Sequence, residues 1–167
     1  MEEQEVVSGE NKALRSLNAD VETHVNFINQ SKQSARAWWL DYSGHPVSYG
    51  DIRTNGLLRM DTFLTHPWVF RASRNGAKLL ANQQDVYMPT AATEYEEDGK
   101  PKFLNVVIAT PVYSLQECCL MLIRNLVEEE DYGRLDIPES LKTDLRQQPD
   151  LLKELGLINR LRIGVLT

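Results

Sequence analysis

The chain is poor in the residues that build covalent staples and metal sites. Its 167 residues hold two cysteines, and these are neighbours, Cys118 and Cys119. Vicinal cysteines make a poor structural disulfide, so the chain reads as a protein of a reducing compartment, cytosol or nucleus. The three histidines are scattered, and nothing supplies the second close pair that structural zinc requires. A GxSxG elbow, a phosphate-binding loop and a dinucleotide fingerprint are all missing. Cys119 as a nucleophile would need a general base; it stands instead in apolar company, where a cysteine behaves as a small hydrophobe. No enzyme, metal or other cofactor is expected. Positive charge is also short, with 18 Lys and Arg against 24 Asp and Glu, a net charge of −6 and a pI near 5.1. Phosphate backbones and anionic bilayers need concentrated cations, so neither nucleic acid nor membrane is expected as a partner. No apolar run is long enough to span a bilayer, and the first residues are acidic, unlike a signal peptide.

What remains is an ordinary globular composition, 42% hydrophobic and 25% charged, that changes character near Pro111. Residues 1–12 are acidic and polar and read as a disordered tail. Over 13–111 the apolar segments are short, β-branched or aromatic, and separated by turn residues. Val25, Phe27 and Asn29 alternate with His24, Asn26 and Ile28. Further strands are expected at 35–42, 47–52, 57–63, 68–72, 79–80, 86–88 and 103–109, giving an all-β sandwich. Thr90 to Gly99 reads as a flexible loop. After Pro111 the period becomes 3.6. Residues 112–149 form a helical domain, and 150–167 a C-terminal helix and tail that packs back on the β-domain. The fold class is α+β, an all-β sandwich followed by three helices.

The first helix is the most informative stretch. Ser114 and Glu117 make a capping box, with Tyr113 and Cys118 at the hydrophobic-staple positions. Leu115, Cys118, Cys119, Leu122, Ile123, Leu126 and Val127 follow the rhythm of one face, with Met121 off it, and the helix is expected to run to about Glu129. The apolar arc covers roughly 200°, about twice what packing on one core uses. Surplus of that kind is commonly kept for a partner protein. Asp136 and Pro138 mark the start of a second helix that ends before Pro149. A third helix from Asp150 to about Leu161 places Leu151, Leu152, Leu155 and Ile158 on one face.

Ser114-Leu115-x-x-x-Cys119-x-x-x-Ile123 looks like the BC box through which substrate receptors bind Elongin C. Other segments flank it in order: Leu14-Arg15-Ser16-Leu17-Asn18, Trp39-Leu40-x-Tyr42-x-Gly44-x-Pro46-x-x-Tyr49, Phe63-x-x-His66-x-Trp68-x-Phe70-Arg71, Leu79-Leu80-x-Asn82-Gln83 and Pro111-Val112-Tyr113. Arg134-Leu135-Asp136-Ile137 follows it. Together they resemble the von Hippel–Lindau tumour-suppressor family over residues 13 to 155. The resemblance implies a non-catalytic receptor of cytoplasm and nucleus. Its β-domain would bind a 4-hydroxyproline peptide from the α subunit of hypoxia-inducible factor. Its helical domain would dock Elongin C with Elongin B, then a cullin with a RING subunit.

The resemblance also implies site residues. Trp39, Tyr49 and Trp68 would form an aromatic slot for the pyrrolidine ring, and Thr62 and His66 would bond its hydroxyl, with Asn18 at the rim. By residue type alone, Trp39 and Trp68 read first as core residues and His66 as a structural histidine. Leu115, Cys119 and Ile123 match the Elongin C contacts, supported by Arg124 and Leu126. Ile137 and Leu141 match positions that approach the cullin. The chain departs from the family at Thr62 (a serine there), Leu58 (an arginine), Asp61 (a histidine), Gly50 (a proline), Phe63 (a tyrosine), Cys118 and Gly133 (arginines) and Pro138. Loss of positive charge beside the peptide implies weaker binding of an acidic degron. The alternative reading is a non-degradative relative or decoy that holds substrate or Elongin without supporting ubiquitin transfer.

Overall fold

The computed structural model describes residues 13–164; the acidic tail expected over 1–12, and residues 165–167, lie outside the described residues. Seven strands come first: β1 Glu22–Asn29, β2 Ala35–Leu40, β3 Pro46–Ile52, β4 Leu57–Phe63, β5 Trp68–Ala72, β6 Lys78–Ala81 and β7 Leu104–Ala109. Three helices follow: α1 Leu115–Leu126, α2 Glu139–Arg146 and α3 Leu151–Ile163. The α+β expectation, a β-domain followed by helices, holds.

The strands form one sheet of order β3-β2-β5-β6-β7-β1-β4. It folds over on itself because β6 pairs with β5 on one side and β7 on the other. β3, β2 and β5 thus face β7, β1 and β4, in a near barrel whose two end strands are β3 and β4. Alternation decides what enters the interior. Val25, Phe27 and Asn29 of β1 are buried while Asn26 and Ile28 are not. Phe27 sits at the centre, 5.1 Å from the Trp68 ring and 4.9 Å from Phe70. Ala35 and Ala37, Leu79, and Val106 with Ile108 complete the core from the other strands.

Strand β5 breaks the alternation, because all five of its residues are buried. Trp68, Phe70 and Ala72 face the sandwich core. Val69 faces α3, where Leu155 is buried against it, Leu14 and Leu40, with Leu151 and Ile158 alongside. Arg71 shares this covered face, and its guanidinium bonds Glu154 of α3 through Nε at 3.1 Å and the Phe70 carbonyl through Nη1 at 2.8 Å. The Leu14 amide donates to Asn159 Oδ1 at 2.8 Å. So α3 packs on the β-layer. Leu152, expected on the packed face, is 62% exposed, because Leu151, Leu155 and Ile158 already fill the i, i+4, i+7 stripe.

Other boundaries also move. Residues 86–88, expected as a strand, make only an isolated bridge between Tyr87 and Trp68. Residues 90–99 turn back as a tight hairpin, with Tyr95 bridged to Pro101 and Lys102 N bonded to Glu94 O at 2.9 Å. Helix α1 stops at Leu126, where Val127 is extended, and Glu129–Arg134 winds as a 3-10 turn that buries Tyr132. Pro138 is the N-cap of α2, and Asp136 lies outside the helix.

Candidate functional site

Two surfaces stand out, one at the meeting of the sheet ends and one on α1. In the first, the predicted pocket residues come together from four strands and a turn. The Trp39 indole of β2 stacks on the His66 ring, centroids 5.1 Å apart and planes 30° apart. Tyr49 of β3 stands edge-on to Trp39 at 6.3 Å and to Trp68 of β5 at 5.1 Å. Trp68 is 2% exposed and serves both core and pocket; its Nε1–H donates to Thr62 Oγ1 of β4 at 3.0 Å. His66, in the β4–β5 turn, has Nε2 3.1 Å from the Asn18 carbonyl.

Tyr49 owes its aim to the backbone. In the β2–β3 ladder Arg36 faces Asp51 but Trp38 faces Ser48, so Tyr49 and Gly50 together oppose Ala37. This is a β-bulge, and Gly50 adopts φ +93° there, a conformation that side chains disfavour.

Hydrogen bonding fixes the polarity of the pocket. A carbonyl only accepts, so His66 Nε2 carries the proton and Nδ1 keeps a lone pair. Burial pushes the His66 pKa below the ordinary histidine value, with the Asn18 carbonyl acting weakly the other way. The ring is therefore neutral near pH 7. Thr62 Oγ1 already accepts from Trp68, which leaves its own proton to donate. The aromatic cluster thus holds one acceptor, on His66 Nδ1, and one hydroxyl donor, on Thr62.

Two supporting residues escaped the sequence reading. Ser16 is fully buried; its hydroxyl donates to Leu40 O at 2.6 Å and accepts from Trp39 Nε1 at 2.8 Å. Tyr42 places its hydroxyl 3.3 Å from His66 Nε2 and its ring edge-on to His66 at 5.6 Å. Both lie in quoted segments, but a small hydroxyl between leucines and one more tyrosine carry no local pattern that marks them.

Strand β4 is an open edge beside this pocket. Leu64 N bonds Val21 O at 3.0 Å and Asn29 N bonds Gly56 O at 3.0 Å, which sets the phase of the β1–β4 ladder. By antiparallel alternation, Leu58, Met60 and Thr62 turn their N–H and C=O to β1, and Leu57, Arg59 and Asp61 turn theirs to the free edge. On the outer face, His24 Nδ1 lies 2.7 Å from Asp61 Oδ1, and the Arg59 guanidinium sits 4.3 Å from the Phe103 ring centroid.

The second surface is α1. The capping box forms as expected: Glu117 N donates to Ser114 Oγ at 3.1 Å and Ser114 N to Glu117 Oε2 at 2.7 Å. Cys118 is exposed, so the staple does not close; Tyr113 packs on the sandwich core and donates its hydroxyl to Lys78 O at 2.6 Å. No residue of α1 is buried. Leu115 is 82% exposed and Leu126 74%; with Cys119 and Leu122 they form a straight i, i+4, i+7, i+11 ridge in solvent. Met121, expected off the apolar face, is the residue that packs against the sandwich. Ile123 is half-buried at the ridge's flank. Arg124 points away from the ridge. It donates to the Leu145 and Asp144 carbonyls at 3.0 and 2.7 Å and to Gln147 O at 3.1 Å, holding the C-terminus of α2. Ile137 and Leu141 are half-buried around the start of α2, which is braced by Lys142 Nζ on Gly133 O at 3.1 Å.

Among the described residues, one cluster has metal-ligand chemistry, Glu22, His24 and Asp61, with ligand atoms within 4.8 Å of one another; Glu22 and Asp61 are exposed and His24 half-buried. No described helix is long and apolar enough to cross a membrane.

Known proteins match both the strand region and the helical region of the chain. A family model of the VHL beta domain matches residues 14–95, and one of the VHL box domain matches residues 113–161. Protein Vhl of Drosophila melanogaster is 27% identical over 136 residues, which cover 75% of this chain and 76% of the fly protein.

Proposed function

The chain belongs to the von Hippel–Lindau family, and from that premise we propose that it is the substrate-recognition subunit of an Elongin B/C–cullin–RING ubiquitin ligase. It acts without catalytic chemistry of its own, in the cytoplasm and nucleus. The observation that carries the reading is α1, a capped helix with no buried residue and an unbroken apolar ridge. Leu115, Cys119, Leu122 and Leu126 fit the groove of a partner helix bundle, with Ile123 at the border. Arg124 contributes from behind by fixing α2, whose Leu141 faces the cullin together with Ile137 just ahead of the helix.

The substrate end reads a hydroxylated proline of the hypoxia-inducible factor α type. A ring between Trp39, Tyr49 and Trp68 brings its hydroxyl to the free acceptor of His66 and the free donor of Thr62. Plain proline leaves both groups desolvated and unpaired, which sites of this kind reject by about 10³-fold or more. The methyl of Thr62 narrows the pocket but keeps the hydroxyl. An extended peptide adds as a strand to β4.

Co-expression with Elongins B and C and a cullin tests the reading. A stoichiometric complex containing the cullin supports a ligase receptor. Elongins recovered without cullin point to the decoy reading, which Pro138 favours because it leaves α2 without a side-chain cap. A chain that purifies alone and ignores the Elongins contradicts the receptor reading and leaves, of the decoy reading, only a holder of substrate.

A further inference from the structure

The free edge of β4 presents Arg59 and Asp61 in a fixed order on its outer face; what these charges do for a bound peptide rests on the hydroxyproline reading above. A peptide added to β4 must satisfy the N–H and C=O groups of Leu57, Arg59 and Asp61. Proline has no N–H to offer, so its place is opposite a residue whose backbone turns the other way. Thr62 is that residue, and it is also the pocket donor. Only antiparallel docking lets the residue opposite Thr62 point its own backbone groups away from β4; in a parallel pair that residue would have to donate. Antiparallel docking with the ring at Thr62 puts the next residue of the peptide, +1, opposite Asp61, and the third, +3, opposite Arg59.

Opposed side chains share one face at about 5 Å and interact directly. At +1 that face carries the Asp61 side chain, 65% exposed, with His24 on one oxygen and the Glu22 carboxylate within the same 4.8 Å cluster. At +3 it carries the exposed guanidinium of Arg59, laid over Phe103. We propose that this chain takes hydroxyproline peptides with a basic side chain at +1 and an acidic one at +3. Charges on an edge strand also serve to discourage pairing with other sheets, and a purely protective role predicts no order preference.

The test is titration of the full chain, co-purified with Elongins B and C, with nine-residue alanine-based peptides carrying a central 4-hydroxyproline. Four peptides place Lys or Glu at +1 and at +3, and a fifth repeats the Lys/Glu sequence with plain proline. The Lys+1/Glu+3 peptide binds about three- to tenfold tighter than Glu+1/Lys+3, a gap that narrows at high salt. In the Asp61→Lys variant the +1 preference inverts. Equal affinity for all four hydroxylated peptides, or an unchanged preference in Asp61→Lys, overturns the charge order while leaving the pocket reading standing. Equal affinity with and without the hydroxyl overturns the pocket reading and this inference with it.

Discussion

Trp68 donates its indole N–H to Thr62 Oγ1 at 3.0 Å, a bond that ties a central strand to the sheet's end strand and leaves the threonine proton to donate. Both side chains are 2% exposed, so neither finds water as a substitute. Thr62→Val keeps the shape and removes the oxygen. It is expected to cost about 1–3 kcal/mol in denaturant melts through the orphaned indole, and to remove the preference for a hydroxylated peptide. Thr62→Ser is expected to keep both.

Ser16 does for Trp39 what Thr62 does for Trp68. Ser16→Ala strips the half-buried indole of its acceptor and the Leu40 carbonyl of its donor. The loss is expected at about 1–3 kcal/mol of stability, with a changed near-ultraviolet tryptophan signal and weaker peptide binding. A Ser16→Thr variant, which keeps the hydroxyl, should retain more of all three.

His66 gives the pocket a pH dependence of defined sign. Its pKa in the folded chain is lowered by burial, below the value near 6.5 of the unfolded chain. The native state then binds fewer protons than the unfolded one in that interval. The histidine contribution to stability is full above pH 6.5 and is lost as pH falls toward the folded pKa. Peptide affinity, which needs the Nδ1 lone pair, should stay level from pH 8 to 6.5 and fall only below that. Binding curves across pH check this, with His66→Gln removing the step.

Arg71 is 4% exposed at its side chain, and its partner Glu154 belongs to α3. Glu154→Ala leaves a buried guanidinium without its carboxylate partner, still bonded to the Phe70 carbonyl. Breaking a buried pair on one side costs about 3–5 kcal/mol. Loss of α3 from the β-layer should appear as faster amide exchange around Leu151 and Leu155. Replacing Arg71 and Glu154 together by Met and Leu should recover much of the loss.

Leu115→Asp separates folding from assembly. The side chain is 82% exposed, so stability of the isolated chain should change by no more than about 0.5 kcal/mol. Elongin binding should weaken by about 2–4 kcal/mol, the size of a central anchor, in co-purification or calorimetry.

How legible this was in the sequence depended on range. Strand β1 was readable from Val25, Phe27 and Asn29 because one of its faces is buried and the other is not. The capping box was readable because Ser114 and Glu117 settle it between themselves. Strand β5 hid its second buried face, since that face is made by α3, some 80 residues on, and Arg71 looks like a solvent residue until Glu154 covers it. Met121 lies off the apolar arc of α1, as its spacing indicates, and the sandwich packs there, because a helical wheel shows an apolar arc but not where the neighbouring layer sits. The pocket came from a resemblance across scattered positions, not from local pattern. Ser16 and the Gly50 bulge, which aim Trp39 and Tyr49, became visible only when the strands were paired.

The most direct measurement is a pair of titrations into the full chain with Elongins B and C bound, using two peptides alike in every atom but the 4-hydroxyl of one proline. The hydroxylated peptide should bind about 10³-fold or more tightly than its partner. Matching dissociation constants would mean that the groove beside Trp39 and His66 has no use for the oxygen, and the account would be wrong at its centre.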